Sequence, residues 1–343
     1  MPAELSARGP GGARILGVGA YRPARVVPNS EICEPIQSSD EWIQRRSGIV
    51  SRRFAGPDET VIEMGVAAGR QALDRAGVPA EEVDTVLVAS MSYLYQSPPA
   101  GPQVAHGVGA TRAAALDIGA ACAGFCHALA VADSLVRAAT ARHVLVVGTE
   151  RMSDIIDPTD RSTAFLFGDA AGAVVVGPAE RPGIGPTVWG SDGAKSGLIG
   201  HQDSWLAARD KPDYWPTMRM SGREVFRWAI GEVAELAGQA VAAAGIQVAD
   251  LAAFIPHQAN LRIIDRLAAE LGLPESVVVA TDVVTAGNTS AASIPLAMET
   301  LLYGGGEPPA GAALIVGFGS GLSYSAMVVN LPPAVSAHRE RAL

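Results

Sequence analysis

The sequence predicts an α/β protein built from two similar halves, and three observations carry that reading. Short β-branched runs alternate with Ala-rich amphipathic stretches, Gly and Pro are spread along the chain rather than clustered, and the order of elements in one half recurs in the other. Of 343 residues, 48% are hydrophobic and 18% charged, with 38 Gly and 23 Pro, which is the composition of a compact chain and not of a disordered one. That length corresponds to about two structural halves.

In chain order, the run from Val83 to Val88 predicts a buried strand over 83–90. A helix over 122–140 opens near Cys122, and His143 to Gly148 predicts a strand over 143–149. The second half repeats the series with a strand over 250–256, a helix opened near Asn288 and a strand over 312–317. The boundary falls near residues 175–185, around Gly177-Pro178 and Arg181-Pro182-Gly183, giving halves 1–180 and 181–343. Two facing halves of this kind bring their functional loops to one shared crevice. The polar segment 195–217 carries Trp205, Tyr214 and Trp215 without clear periodicity, and reads as a long loop, either a lid or a surface excursion held by aromatic anchors.

A net charge of −9 with no basic stripe argues against nucleic-acid binding, so any basic site must be local. Three cysteines, Cys33, Cys122 and Cys126, make no disulfide framework and point to a reducing compartment. Met1 to Arg14 lacks a hydrophobic segment, and no unbroken apolar stretch of about 18 residues follows. The expectation is a cytoplasmic protein with no membrane partner.

Chemistry concentrates at element ends. Cys122 stands among small residues, in Asp117-Ile118-Gly119-Ala120-Ala121-Cys122-Ala123-Gly124-Phe125, where a strand gives way to an Ala-rich helix. Amides and the dipole at a helix N-terminus favour a thiolate, so the expected pKa lies below the ordinary value of about 8.5. A cysteine among Ala and Gly is by itself more often a small buried residue, so its partners decide. They are offered by Pro256-His257-Gln258-Ala259-Asn260, just after an apolar strand, and by Gly287-Asn288-Thr289-Ser290-Ala291-Ala292 at the start of the second-half helix. His106, His127, His143, His201 and His338 lack such a setting.

At these residues the sequence resembles the β-ketoacyl-acyl-carrier-protein synthase III family of the thiolase superfamily, from about Ile15 to Asn330. The likeness rests on Ser39-Asp40-Glu41-Trp42-Ile43, Arg46-Ser47-Gly48-Ile49, Ala121 to Phe125, and Phe167-Gly168-Asp169-Ala170-Ala171-Gly172. It continues through Pro256 to Arg262 and Gly287 to Ser293, six motifs in the family's order. The resemblance implies a thiolase fold, with the duplicated halves packed in alternating helix and sheet layers, and a homodimer. It implies that Cys122 is acylated from an acyl-coenzyme A substrate, that malonyl-acyl carrier protein is the second substrate, and that His257 and Asn288 complete the site. Backbone amides of Cys122 and Ser320 would form the oxyanion hole, although Ser320 stands where the family commonly has Gly.

Coenzyme A would be met by Trp42, Arg46 and Arg161 around the adenine, and by Gly222, Phe226, Asn260 and Arg262 along the tunnel. Arg227 and Arg262 would attract the acidic carrier protein. Ser97 occupies the place of a Phe found in acetyl-preferring members, in a loop that reaches the partner subunit's acyl pocket, with Met91 and Leu94 beside it. That change implies a primer larger than acetyl and leans toward polyketide priming. Neither a metal nor a permanently bound cofactor is expected.

Five other readings differ from this one in particular residues. A biosynthetic thiolase would have a second cysteine after Cys126, and none exists. A type III polyketide synthase shares Cys, His and Asn and a loop like Gly317-Phe318-Gly319-Ser320-Gly321-Leu322, and an acyl-coenzyme A acyltransferase on the same fold is the neighbouring alternative. A cysteine hydrolase uses the same residue types with water, and a non-catalytic partner subunit would have lost one of the three residues. Gly17-Val18-Gly19 is followed by Pro23 where a dinucleotide-binding helix would run.

Overall fold

The computed structural model describes residues 11–211 and 213–334. Residues 1–10 of the N-terminal stretch and His338 lie outside the described residues. Two five-stranded sheets organise the rest. In the first, the spatial order is Gly12–Tyr21, Ala170–Ala179, Val144–Glu150, Thr85–Ala89 and Ala114–Asp117. In the second it is Val188–Ser191, Ser323–Asn330, Ala312–Gly319, Leu251–Pro256 and Val278–Val279. Directions match as well as order. Val144–Glu150 runs parallel to Thr85–Ala89 and antiparallel to Ala170–Ala179, just as Ala312–Gly319 runs parallel to Leu251–Pro256 and antiparallel to Ser323–Asn330. The weak duplication in the sequence is thus a duplicated architecture.

Helices Gly124–Arg137 and Ser293–Tyr303 form a central layer between the sheets. Their Phe125, Leu129, Ile294 and Met298 side chains join Val146 and Val174 of the first sheet to Ile255, Ile315 and Met327 of the second in one buried cluster. Full burial of each such side chain contributes about 1.5–3 kcal/mol. The helices Val61–Ala76 and Ala100–Val108 cover the outer face of the first sheet, while Ala234–Ala243 and Leu261–Glu270 cover that of the second. The layers therefore alternate as the thiolase fold requires. Among the described residues no helix is long and apolar enough to cross a membrane.

Two local expectations need correction. The helix expected over 122–140 begins as a single 3-10 turn, Ala121–Ala123, and becomes α-helical only over Gly124–Arg137. Segment 195–217 is not an unstructured loop. Strand Ile199–His201 pairs antiparallel with Met218–Met220, and the short helix Trp205–Asp210 lies between them. Trp205 packs at a tilt against Trp215 at 4.8 Å and against His201 at 5.1 Å, and the Trp215 indole N–H donates to the Asp154 carbonyl. Trp205 and Trp215 thus act as the aromatic anchors the sequence suggested, and only the strand pair and the short helix went unread.

Candidate active site

Cys122, His257 and Asn288 reach one cavity of about 850 Å³ from three different element ends. Cys122 is the middle residue of the 3-10 turn that enters the central helix. Its turn packs against the end of strand Ala312–Gly319 because Gly319 has no side chain: a Cβ there would lie 2.8 Å from Cys122 Cβ and 3.1 Å from its Sγ.

His257 follows strand Leu251–Pro256, with its backbone N–H on the Val316 carbonyl, its Nδ1 2.8 Å from Ser293 Oγ and its ring edge-on to Phe318. Asn288 is gripped through its backbone: its N–H donates to Leu166 and its carbonyl accepts from Gly168. Its side-chain Oδ1 accepts from the Ser290 amide at 2.9 Å. The Nδ2 amino group is what remains to face the cavity, and an amino group only donates.

Electrostatics at Cys122 oppose the expectation from helix geometry. Burial pushes its thiol up to about 12, and Glu150 nearby adds to the rise, while Ser290 and the residue's own amide pull it down. Desolvation outweighs the helix N-terminus here because the thiol is enclosed. The resting group is therefore a thiol and not a thiolate. Burial likewise pulls His257 down to about 3, so its imidazole is neutral at physiological pH. Glu150, which sequence reasoning missed, is fully buried at the end of strand Val144–Glu150 and accepts from the amides of Met91, Ser92 and Ala291 and the hydroxyls of Ser90 and Ser92. An acidic residue closing an otherwise apolar strand was its only signal.

The opposite end of the cavity is exposed and basic. Ser39 caps helix Asp40–Ser47 by accepting from the Trp42 amide, which sets Trp42 and Arg46 one turn apart on the cavity wall. Arg161 lies over the Trp42 ring at 4.8 Å and Arg46 at 5.4 Å. Arg223, Arg227 and Arg262 complete the rim. Arg262 sits over Phe226, and Arg227 lies 3.5 Å from Glu224. Gly222 and Asn260 line the wall between the ends, and the Asn260 Oδ1 is committed to capping helix Leu261–Glu270. Ser97, Leu94 and Met91 do not line this cavity: Ser97 and Leu94 are exposed, and Met91 packs at the edge of a core cluster. Ser320 lies just outside it, its hydroxyl donating to the Ile199 carbonyl.

Family models for 3-oxoacyl-[acyl-carrier-protein] synthase III match residues 116–193 and, for its C-terminal part, 241–331. The β-ketoacyl-[acyl-carrier-protein] synthase III of Streptomyces lividans is 52% identical over 321 residues, covering 93% of this chain and 95% of that protein. This chain belongs to the synthase III family. A mycobacterial synthase III, from Mycolicibacterium paratuberculosis, is 48% identical over 95% of this chain and 97% of its own length. Among solved structures, the priming β-ketosynthase of the R1128 polyketide pathway superposes with a TM-score of 0.94 at 49% identity, covering 98% of this chain and all of that one. The 3-oxoacyl-(acyl carrier protein) synthase III of Pseudomonas aeruginosa follows with a TM-score of 0.89 at 35% identity, covering 95% of this chain and 100% of that one. Like its family, this synthase III is a condensing acyltransferase.

Proposed function

We propose that this synthase III loads an acyl group from acyl-coenzyme A onto Cys122 and condenses it with malonyl-acyl carrier protein. The observation that carries the reading is the single cavity running from an exposed Trp-Arg rim to a buried Cys-His-Asn group. In the first step the Cys122 sulfur attacks the thioester carbonyl, the bond to the coenzyme A sulfur breaks, and the thiol proton passes to that leaving sulfur. The amides of Cys122 and Ser320 receive the carbonyl oxygen. In the second step the malonyl carboxylate leaves as carbon dioxide, its electron pair forms an enolate, and the enolate carbon attacks the acyl-Cys122 carbonyl. Cys122 departs as thiolate and takes a proton from solution. His257 and the Asn288 amino group donate to the enolate oxygen, a role that suits a neutral imidazole and an amide with its oxygen already engaged.

At the rim, Trp42 and Arg161 hold the adenine between them with Arg46 alongside, and Gly222, Phe226, Asn260 and Arg262 follow the pantetheine. Arg227 and Arg262 receive the acidic carrier protein. Among the described residues, strand Ala114–Asp117 leaves one edge of the first sheet unpaired with Leu116 exposed, and exposed Leu94 and Ser97 stand near it in the chain. That edge supports a homodimer in which Ser97, Met91 and Leu94 serve the partner's acyl pocket. With Ser in place of a bulky ring the primer is longer or more branched than acetyl, and the enzyme starts fatty-acid or polyketide chains, with polyketide priming favoured. The halves divide near residue 180, the last strand of the first sheet ending at Ala179. No permanently bound cofactor is required, and the site of action is the cytoplasm.

Intact mass after incubation with acetyl, propionyl, isobutyryl and hexanoyl coenzyme A tests the reading. One acyl adduct per chain, absent in Cys122→Ala, is expected, with acetyl loaded more slowly than the larger primers. Ser97→Phe shifts the preference toward acetyl by about tenfold or more, the scale of pocket discrimination on a few methylenes. An undiminished adduct in Cys122→Ala contradicts the nucleophile assignment.

A further inference from the structure

Among the described residues the His257 side chain makes one hydrogen bond, between Nδ1 and Ser293 Oγ at 2.8 Å. The same oxygen lies 3.3 Å from the Gln258 backbone N, a group that can only donate. Ser293 is 1% exposed and His257 2%, so bulk water serves neither. Among the described residues the hydroxyl has no other hydrogen-bond partner. That leaves two arrangements of three protons. If Nδ1 carried the ring proton, Ser293 Oγ would receive two donors and its own proton would be buried with no acceptor, at a cost of about 1–3 kcal/mol. With the ring proton on Nε2, the hydroxyl accepts from Gln258 N–H and donates to Nδ1, and every group is satisfied.

We propose that Ser293 is a positioning residue that fixes His257 as the Nε2–H tautomer, so that the ring offers the cavity a donor rather than an acceptor. The Gln258 side chain holds this arrangement in place. Its Nε2 donates to the carbonyls of Pro256 and Ala280, its Oε1 accepts from Val283 N–H, and the backbone amide aimed at Ser293 is thereby locked. The second-half turn, through Ser293 at its exit, thus sets the proton on a histidine delivered by a neighbouring strand. The catalytic consequence rests on the proposed role of His257 as an oxyanion donor; the tautomer itself does not.

The test is nitrogen-15 NMR of the full chain labelled at histidine, with His257 assigned by difference from His257→Gln. An unprotonated-type shift at Nδ1 and a protonated-type shift at Nε2 are expected; the reverse pattern overturns the proposal whatever the enzyme's activity. In Ser293→Ala the two tautomers should mix, and discharge of a preformed acyl-Cys122 by malonyl-carrier protein should slow about 10- to 100-fold, less than loss of an oxyanion donor, while acyl loading stays within about twofold. Ser293→Thr restores the hydroxyl and should bring both readouts back. A Ser293→Ala protein that keeps the wild-type tautomer and discharge rate overturns the assignment. A wild type that loads no acyl group would instead defeat the proposed function, with the NMR pattern still deciding the tautomer.

Discussion

The turn Ala121–Ala123 in the first half and the turn Ser290–Ala292 in the second begin alike and are then closed by different residues. Each starts on a non-glycine residue with positive φ, 45° at Ala121 and 47° at Ser290, makes one 3-10 turn and runs into a helix of the central layer. Each is met by a strand of the other half, the one that follows that half's own central helix, at a glycine that admits the turn's backbone: Gly317 approaches Ala123 and Cys126, and Gly148 approaches Ala291 and Ala292. Two residues further along, the halves part. The first-half turn meets Gly319, whose missing side chain leaves room for Cys122 Sγ. The second-half turn meets Glu150, whose carboxylate accepts from the Ala291 amide. Duplication thus provides two equivalent turns, and one end-of-strand residue separates a reactive turn from a plugged one.

Breaking the first-half arrangement should have the largest effect. Gly319→Ala places a methyl group against Cys122 Cβ and displaces the nucleophile, and acyl loading measured by stopped mass analysis should fall about 100-fold, the cost of roughly 1 Å of misplacement. Loading at the wild-type rate would show that the close approach is unimportant. Breaking the second-half plug should act on stability. Glu150→Ala removes the acceptor for the Met91, Ser92 and Ala291 amides, and denaturant unfolding should register a loss of about 3 kcal/mol. An unchanged midpoint would remove Glu150 from the account.

A smaller effect sharpens the same contrast. Cys122 is enclosed and close to Glu150, so its alkylation by iodoacetamide, followed on the Cys122 peptide, should keep rising with pH beyond the ordinary cysteine midpoint of about 8.5. A group whose pKa is raised stays protonated to higher pH, so a midpoint at or below the ordinary value would mean that the helix N-terminus outweighs burial.

The strands and the three polar residues at element ends were legible because hydrophobic runs and motifs are local in sequence. The duplicated order was legible for the same reason in two strands of each sheet, Thr85–Ala89 with Val144–Glu150 and Leu251–Pro256 with Ala312–Gly319, and the other three strands of each were not read. What escaped notice depends on contacts between distant segments. Glu150 joins residues 90–92 to 291, Ser293 joins the second-half helix to His257, and Trp215 ties segment 195–217 to the Asp154 carbonyl. The Cys122 pKa was misjudged because helix position can be read from sequence, whereas full enclosure of a thiol cannot.

The central claim is that the buried end of the cavity divides its labour, with Cys122 carrying the acyl group and Asn288 donating to the enolate oxygen. The decisive measurement is single-turnover discharge of isolated acyl-enzyme by malonyl-carrier protein in Asn288→Asp. That variant keeps the Oδ1 acceptor for the Ser290 amide and puts a carboxyl oxygen where the amino donor was. The acyl adduct should form as in the wild type and then discharge at least about 100-fold more slowly, the usual cost of one oxyanion donor. Discharge at the wild-type rate would contradict the account.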